Sequence, residues 1–297
     1  MTLIELIEAS AAQLEAAGLS FENGFGQGTT NVFDEAAWLV LWQLGLPLDD
    51  LDSVSNRPVS DSERAQAATL LGARIATRKP AAYLTHEAWL MGVAFYVDER
   101  VIIPRSLIAE LLVDASIDPW LGEHKLRMLD LCTGNGSLAV LAAMAYPEVS
   151  IDAADISPDA LAVARINIDR HALASRICLI ESDGLAACPG RYDLILCNPP
   201  YVNAASMAAL PPEFKAEPAL ALAGNMHGGS DGMDFVRLLL AGAAAQMNEN
   251  AVLVLEIGNE KSHFGRAFPA LEPLWFETSA GGDQVMLLTR EQLVGSG

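Results

Sequence analysis

The segment Leu194–Val202 reads "LILCNPPYV", and its apolar run ends at Asn-Pro-Pro-Tyr. A short apolar run of this kind is typical of a buried strand. Proline fixes φ near about −65° and donates no N–H, so Pro199 and Pro200 predict a rigid exit from that strand. The side-chain carbonyl of Asn198 and the main-chain carbonyl of Pro199 are then two acceptors outside any sheet ladder. With the ring of Tyr201 they predict a clamp, in which a planar –NH2 group donates both hydrogens and the ring stacks on its plane.

Such a clamp reduces the delocalisation of an amide or aniline-like nitrogen and directs its lone pair. It needs no strong base, because the acceptors position a poor nucleophile instead. A plain strand-end turn is the alternative interpretation of any Pro-Pro pair. The place of this motif, at the end of the fourth strand of a predicted sheet, favours the clamp.

Strands and helices alternate from Lys125 onward. Near-continuous apolar strands separated by helices indicate a parallel sheet that is covered on both faces. Two late segments, "LWFETSA" and "DQVMLLT", predict a closing hairpin across Gly281 and Gly282. The other predicted strands are "LRMLDLC", "VSIDAAD", "RICLIES", "YDLILC" and "AVLVLEIG", and the predicted helices cover 137–146, 158–171 and 231–247.

A glycine-containing loop, "DLCTGNG", follows the first of these strands. Asp130 ends the strand, and Thr133, Gly134 and Gly136 lead into a helix. Glycines let a ligand approach the backbone, and the start of the helix offers free N–H groups. The third glycine of a dinucleotide-binding fingerprint is missing, so a purely structural turn between strand and helix stays open as the alternative.

Two further acids end strands of the predicted sheet. Asp155 lies 21 residues after Gly134, a spacing that suits hydrogen bonds to a ribose diol. The alternative is that Asp155 only caps the helix that begins near Pro158. Asp183 is a candidate acceptor for an exocyclic amine of adenine, or else a turn aspartate before Gly184. Glu256 ends the strand "AVLVLEIG" and is interpreted as a sheet-end residue only.

The first 85 residues differ from the rest because they have the helical spacing of apolar residues. Ser60 and Glu63 form a capping-box pattern at one predicted helix start. The loop "GFGQGTTN" at 24–31 follows no strand and is interpreted as a plain turn, not a phosphate loop. The sequence therefore predicts a helical domain at 1–85, a β-hairpin or extended linker at 86–104, and a strand-helix domain at 105–297.

Composition limits the function. The chain has 297 residues, with 38 acidic and 18 basic side chains and a net charge of −20. Because phosphate binding depends on lysine and arginine, we expect no direct DNA binding, whereas a strongly basic protein partner would be attracted. No apolar run is long enough to span a membrane. The four scattered cysteines have no metal-site spacing and are expected to be reduced thiols in a cytoplasmic protein.

The order "DLCTGNG", "DIS", "NPPY" resembles the class I S-adenosylmethionine-dependent methyltransferases. The Asn-Pro-Pro-Tyr form is shared by enzymes that methylate adenine in DNA and glutamine in proteins. The segment "KPAAYLTHEAWLMGVAFYVDERVIIPRS" is similar to the linker of the bacterial protein-glutamine N(5)-methyltransferases. The resemblance covers nearly the whole chain. It implies an α/β, Rossmann-like class I methyltransferase domain with a mostly parallel seven-stranded sheet, preceded by a small helical domain and a β-hairpin linker.

The branch of that family is indicated by the motifs "GFGQGTTNVFDEA", "FYVDERVIIPRS", "DISPDALAVA" and "GGDQVMLLTREQL". They resemble the branch that methylates a glutamine of large-subunit ribosomal protein L-three. The release-factor branch usually carries a Pro-Arg-Pro-Glu-Thr-Glu type segment. Here "PRSLIAE" keeps Arg105 but departs from the rest, which argues against that branch. A nucleic-acid amino-methyltransferase and a non-enzymatic binding protein are the remaining alternatives.

The resemblance implies a role for each matching residue. S-adenosylmethionine would lie against Thr133, Gly134 and Gly136 beside Asp130, with Asp155 on the ribose and Asp183 at the adenine. Asn198 and the Pro199 carbonyl would hold the glutamine amide, next to Pro200, with Tyr201 packed on it. Arg105 would help to position the substrate. The reaction would be a direct methyl transfer without a metal, on a basic ribosomal protein. Separately from the resemblance, we expect a monomer.

Overall fold

The computed structural model describes residues 1–20, 25, 27–122 and 126–295. Within the predicted loop at 24–31, Gly24 and Gly26 lie outside these ranges, as do Lys125 and the last two residues. The chain forms two compact units. The first, the helical unit, consists of Met1–Ala88, Val97–Glu99 and Leu210–Glu217, and the second contains the rest.

The elements run along the chain as follows. The helices are α1 (Leu3–Ala16), α2 (Val32–Gln43), α3 (Leu51–Val54), α4 (Asp61–Thr77), α5 (Ala81–Thr85), α6 (Ile108–Val113), α7 (Ser137–Ala145), α8 (Pro158–Arg170), α9 (Ala204–Ala209), α10 (Pro212–Lys215), α11 (Ala219–Leu222), α12 (Asp234–Gln246), α13 (Lys261–Ala267) and α14 (Arg290–Gly295). The strands are β1 (Ala88–Leu90), β2 (Val93–Phe95), β3 (Arg127–Leu131), β4 (Ser150–Asp155), β5 (Ile177–Glu181), β6 (Tyr192–Cys197), β7 (Met247–Glu256), β8 (Leu274–Trp275) and β9 (Val285–Thr289). No helix in the described ranges is long and apolar enough to cross a membrane.

Helix starts in the helical unit follow their capping signals. At α4 the predicted capping box is confirmed, because the Ser60 side chain accepts from the Glu63 N–H while the Glu63 carboxylate accepts from the Ser60 N–H. Thr2 and Glu5 form the same arrangement at α1. The apolar faces of these helices meet in a core that includes Leu3, Ile7, Leu14, Leu39 and Leu71.

A buried ion network ties a late segment of the chain into the helical unit. Arg74 has no exposed side-chain surface; its Nε lies 2.7 Å from Glu35 Oε1 and its Nη1 lies 3.1 Å from Glu213 Oε1. Arg78 Nε donates to the same Glu213 oxygen at 2.5 Å. Since a buried carboxylate is costly without partners, these ion pairs hold Leu210–Glu217, which follows the predicted clamp in sequence, within the helical unit.

The second unit contains a seven-stranded sheet in the order β5-β4-β3-β6-β7-β9-β8. The pairs from β5 to β7 are parallel, and β9 is antiparallel to both β7 and β8. The predicted fold class and closing hairpin are thus confirmed. The direction of the chain through the sheet reverses between β3 and β6, which is the switch point where open α/β sheets bind ligands. A separate two-stranded sheet, β1-β2, lies within the predicted hairpin segment 86–104 but covers less of it.

Candidate active site

Asp130 lies near the carboxyl end of β3 and is almost completely buried, at 1% exposure. Its Oδ2 accepts from Thr133 Oγ1 at 2.5 Å and from the Ala139 N–H at 3.0 Å. Its Oδ1 is buried and has no hydrogen-bond partner among the described residues. Burial raises the pKa of Asp130 to about 7. A buried acceptor without a partner is rare in folded proteins, and this one lies beside the predicted cofactor loop.

The loop between β3 and α7 depends on its glycines. Gly134 and Gly136 have φ of +55° and +82°, a region that side chains disfavour. A Cβ at Gly136 would lie 3.2 Å from the Cβ of Ala164 on α8, so the loop packs closely against that helix. Asn167 of α8 donates to the Asn135 carbonyl at 2.9 Å. These contacts hold the loop backbone at the sheet edge, as the ligand-loop interpretation requires.

Asp155 ends β4 beside this loop. Its Oδ2 accepts from the Gly134 N–H at 2.9 Å and its Oδ1 accepts from the Ser157 N–H at 2.9 Å. Ser157 is the N-cap of α8 and accepts from the Ala160 N–H, so Asp155 supports the helix start through Ser157 and also binds the loop at Gly134. Burial raises the pKa of Asp155. Each carboxylate oxygen can accept more than one hydrogen bond, so Asp155 keeps acceptor capacity for a ligand.

Asp183 follows β5 at the same edge of the sheet. Its side chain is exposed, and its carbonyl accepts from the Ala186 N–H at 3.2 Å. The turn therefore uses the main chain of this residue. Within the described ranges no hydrogen bond to the Asp183 carboxylate is recorded, so that group remains available to a ligand.

The predicted clamp follows β6, level with the end of β3, since Leu131 pairs with Cys197. Pro199 and Pro200 are buried and Asn198 is partly exposed. No described residue makes a hydrogen bond to the Asn198 side chain or donates one to the Pro199 carbonyl. Both predicted acceptors are therefore without an internal partner.

Two glycines fit closely around Tyr201. A Cβ at Gly258 would lie 2.6 Å from the Tyr201 ring, and one at Gly232 would lie 2.1 Å from the Tyr201 carbonyl oxygen. Both glycines have positive φ. The next residue is also held, because the Val202 N–H donates to the Leu222 carbonyl at 2.9 Å. The ring thus packs directly against backbone, which leaves it little freedom.

Glu256 corrects the sequence interpretation, which assigned it no role beyond ending its strand. It is 3% exposed, and its Oε2 accepts from Ser106 Oγ at 2.6 Å and from the Leu107 N–H at 2.9 Å. Burial raises the pKa of Glu256 to about 7. Burial and then the charge of Glu256 raise the pKa of Tyr201. The Tyr201 hydroxyl lies close to Gly258, two residues after Glu256. In the sequence, this role of Glu256 was indicated only by an acidic residue at the end of an apolar strand.

Arg105 precedes this turn and donates from Nη1 to the Ile103 carbonyl at 3.1 Å. Its positive charge acts on both Glu256 and Tyr201 and lowers the pKa of each, against the larger effect of burial. The charge of Arg105 therefore reaches both Glu256 and Tyr201. No group of three or more potential metal ligands occurs in the part of the chain that the structure describes.

Comparison with known proteins identifies the family of the chain. Residues 109–224 match the family described as methyltransferase small domain. The ribosomal protein uL3 glutamine methyltransferase of Bordetella pertussis strain Tohama I is 50% identical over 295 residues, which cover 98% of this chain and 96% of that protein. The protein of the same name from Burkholderia pseudomallei strain K96243 is 45% identical over 302 residues, covering 98% and 95%. The chain belongs to the ribosomal protein uL3 glutamine methyltransferase family.

A solved structure supports the fold independently. The catalytic domain of hMettl16 in complex with the MAT2A 3'UTR hairpin 6 aligns with a TM-score of 0.50 at 15% identity, covering 77% of this chain and 81% of that one. At this identity the likeness shows the class I fold alone. The family assignment depends on the uL3 methyltransferase relatives, and it confirms the resemblance that the sequence motifs indicated.

Proposed function

We propose that this methyltransferase transfers a methyl group from S-adenosylmethionine to the side-chain amide nitrogen of a glutamine in ribosomal protein uL3. The observation that carries the proposal is the pair of acceptors at the end of β6, the Asn198 side chain and the Pro199 carbonyl, which have no partner in the described chain. The names of the relatives support uL3 as the substrate. The net charge of −20 supports a basic protein partner.

The edge formed by β3 and β4 fits S-adenosylmethionine. The free oxygen of Asp130 suits the ammonium group of the methionine part, beside Thr133. Gly134 and Gly136 let the backbone approach the ligand, and the remaining lone pairs of Asp155 suit the ribose hydroxyls. When bound, S-adenosylmethionine would supply an electrophilic methyl group, and the electron pair of the broken S–CH3 bond would stay on the sulfur of S-adenosylhomocysteine.

Asp183 supplies the remaining acceptor, for the amine of adenine. Its exposed carboxylate at the end of β5 has the chemistry that this contact needs. Pro200 completes the rigid exit after β6, and Arg105 is assigned to substrate positioning at the clamp.

The clamp residues act on the glutamine amide. Asn198 and the Pro199 carbonyl accept its two hydrogens, and Tyr201 packs on its plane, so the amide loses rotational freedom before reaction. As the nitrogen forms its new bond to carbon it becomes positive, and the same two acceptors stabilise that charge. One N–H proton then leaves to water, and the product is an N-methylated amide. No covalent bond to the enzyme is formed.

The test supplies the protein with S-adenosylmethionine carrying a labelled methyl group and offers three acceptors separately. These are uL3, a class I release factor, and ribosomal RNA or duplex DNA. Each product is mapped by mass spectrometry, with Asn198→Ala as the control. We expect label on a glutamine of uL3 that is lost in the variant.

Other outcomes would correct the proposal in defined ways. Label on the release factor alone would keep the clamp chemistry and change the substrate. Label on nucleic acid alone would mean that Asn198 and Pro199 hold a base amine. The monomeric state and cytoplasmic location expected from the sequence stay predictions.

A further inference from the structure

Tyr201 is positioned by residues of two other segments, the end of β7 and the loop before α12. Gly258 packs against the ring near its hydroxyl, Glu256 acts on the phenol through its charge, and Gly232 packs against the Tyr201 carbonyl. Of these three, only Glu256 carries a charge. The Glu256 carboxylate also holds the turn at Ser106 and Leu107, through hydrogen bonds of 2.6 and 2.9 Å.

Two further charged groups act on the pair of Glu256 and Tyr201. Arg105, from the segment before α6, acts on both residues, and Glu260, at the start of α13, acts on Tyr201. Glu260 is itself bound, since its carboxylate accepts from Asn203 Nδ2 at 2.7 Å and lies against His263. Glu256 therefore joins the end of β7 to the loop that carries the clamp and to the turn that carries Arg105.

We propose that Glu256 is a positioning residue for methyl transfer. Its ionised carboxylate accepts from Ser106 and Leu107 and faces the Tyr201 hydroxyl. It thereby holds the tyrosine ring and the Arg105 turn in the arrangement that receives the substrate amide. This inference rests on the proposed function of the clamp. It does not require Glu256 to touch the substrate or S-adenosylmethionine.

Protonation distinguishes this role from simple packing. An ionised carboxylate only accepts hydrogen bonds, whereas a protonated one carries an O–H that must donate. Donation towards Ser106 would compete with the bond that its hydroxyl now donates to Glu256 Oε2. Because the pKa of Glu256 is about 7, the ionised arrangement is mostly present above that pH and is lost below it.

The same chain offers a matched control. At the amino end of β6, the Tyr192 hydroxyl donates to Asp152 Oδ2 at 2.8 Å. Both residues are buried, so they form a second buried pair of phenol and carboxylate. Asp152 lies in the first half of β4, towards the amino edge of the sheet and away from the clamp. Asp152→Asn therefore makes the same chemical change as Glu256→Gln without touching the site.

The experiment compares wild type, Glu256→Gln and Asp152→Asn at saturating S-adenosylmethionine. We expect Glu256→Gln to lower kcat on the substrate protein at least about tenfold near pH 8 and to change the Kd for S-adenosylmethionine less than about twofold. Wild-type kcat should fall as pH decreases through about 7, whereas the Glu256→Gln profile should be flat across that range. Asp152→Asn should keep the wild-type kcat and profile.

A double-mutant cycle with Tyr201→Phe tests whether Glu256 acts through the tyrosine. When two residues act together, the fold-losses in kcat of the two single variants do not multiply. The kcat of the double variant should therefore be only a little below that of the worse single variant. Losses that multiply, or a Glu256→Gln enzyme with the kcat and pH profile of wild type, would overturn the proposal.

Hydrogen exchange supplies a readout that does not depend on turnover. We expect the amides of residues 201–203 to exchange at least about tenfold faster in Glu256→Gln than in wild type, and at the wild-type rate in Asp152→Asn. If wild type methylates no protein, the proposed function fails, and the exchange comparison alone decides the positioning role. Unchanged exchange at 201–203 would then refute it.

Discussion

The two edges of the seven-stranded sheet carry the same kinds of side chain but use them differently. At the amino edge the carboxylates of Asp152 and Asp193 accept hydrogen bonds from groups of the protein itself. Asp152 accepts from Tyr192 and from Arg127 at 2.8 and 2.7 Å, and Asp193 accepts from the Arg127 N–H and from Asn248 Nδ2, both at 2.8 Å. These bonds connect β3, β4, β6 and β7 where the strands begin.

At the carboxyl edge several polar atoms of the described chain are left over. Asp130 Oδ1 and Asn135 Nδ2 are buried without a partner, and the Asn198 side chain and the Pro199 carbonyl have no recorded hydrogen bond. Polar groups without partners cost stability, and within the described part of the second unit the two buried unpartnered side-chain atoms both lie at this edge, where we propose that a ligand completes the bonding. We therefore expect substitutions at the amino edge to change stability and those at the carboxyl edge to change function.

The largest expected effect is that of Asn198→Ala. Removal of one of two acceptors that stabilise developing charge should lower kcat about 100- to 1,000-fold, with little change in the Kd for S-adenosylmethionine. Single-turnover methylation and calorimetric titration measure the two quantities. Asn248→Ala is the control, because it removes the same side chain at the amino edge. A comparable loss of kcat in both variants would erase the proposed difference between the edges.

Asp155→Asn should give the next largest effect. The variant keeps the shape of the side chain but loses its charge and half of its acceptors, and a hydrogen bond to a charged group is worth about 1.5–3 kcal/mol. We expect the Kd for S-adenosylmethionine to rise about 10- to 100-fold, with kcat at saturation changed only a few-fold. Asp159→Asn, in the first turn of α8, is the control. A normal Kd in Asp155→Asn would remove the ribose assignment.

Asp130→Asn should stabilise the ligand-free protein. The folded-state pKa of about 7 exceeds the ordinary value of 3.8, so the folded protein retains a proton that the unfolded chain releases between those pH values. The contribution of Asp130 to stability therefore falls as pH rises through this window. Asparagine can keep the bonds from Thr133 and Ala139 without a charge. Thermal unfolding should give a Tm several degrees above wild type near pH 8 and a smaller difference near pH 5, while S-adenosylmethionine binding weakens. A lower Tm near pH 8 would show that the carboxylate stabilises the fold.

Asp193→Asn should have the smallest effect, and one on stability alone. The carbonyl oxygen of the new amide can accept from either the Arg127 N–H or Asn248 Nδ2. The amide NH2 then faces the other of these two donors, so one hydrogen bond is lost at a cost of about 1 kcal/mol. Urea unfolding should detect this loss, and the methylation rate per folded molecule should equal that of wild type. A slower rate per folded molecule would show that the amino edge also supports the reaction.

Much of the candidate site was predictable because strand ends are local features. Asp130, Asp155 and Asn198 each follow an apolar run, and parallel strands place such ends at one edge of a sheet. The capping box at Ser60 and Glu63 was predictable for the same reason, since both partners lie within one helical turn.

What the sequence determined by itself is the set of strands, the family motifs and the residues at the strand ends. The tertiary structure decided which of their atoms are paired. Ser106 and Glu256 are 150 residues apart, and Arg74 and Glu213 are 139 apart, yet each pair meets in a buried bond. Only folding brings such segments together and removes water from them. Burial and pairing then set the pKa of Glu256, the free oxygen of Asp130 and the place of Leu210–Glu217, because these depend on neighbours in space and not on neighbours in the chain.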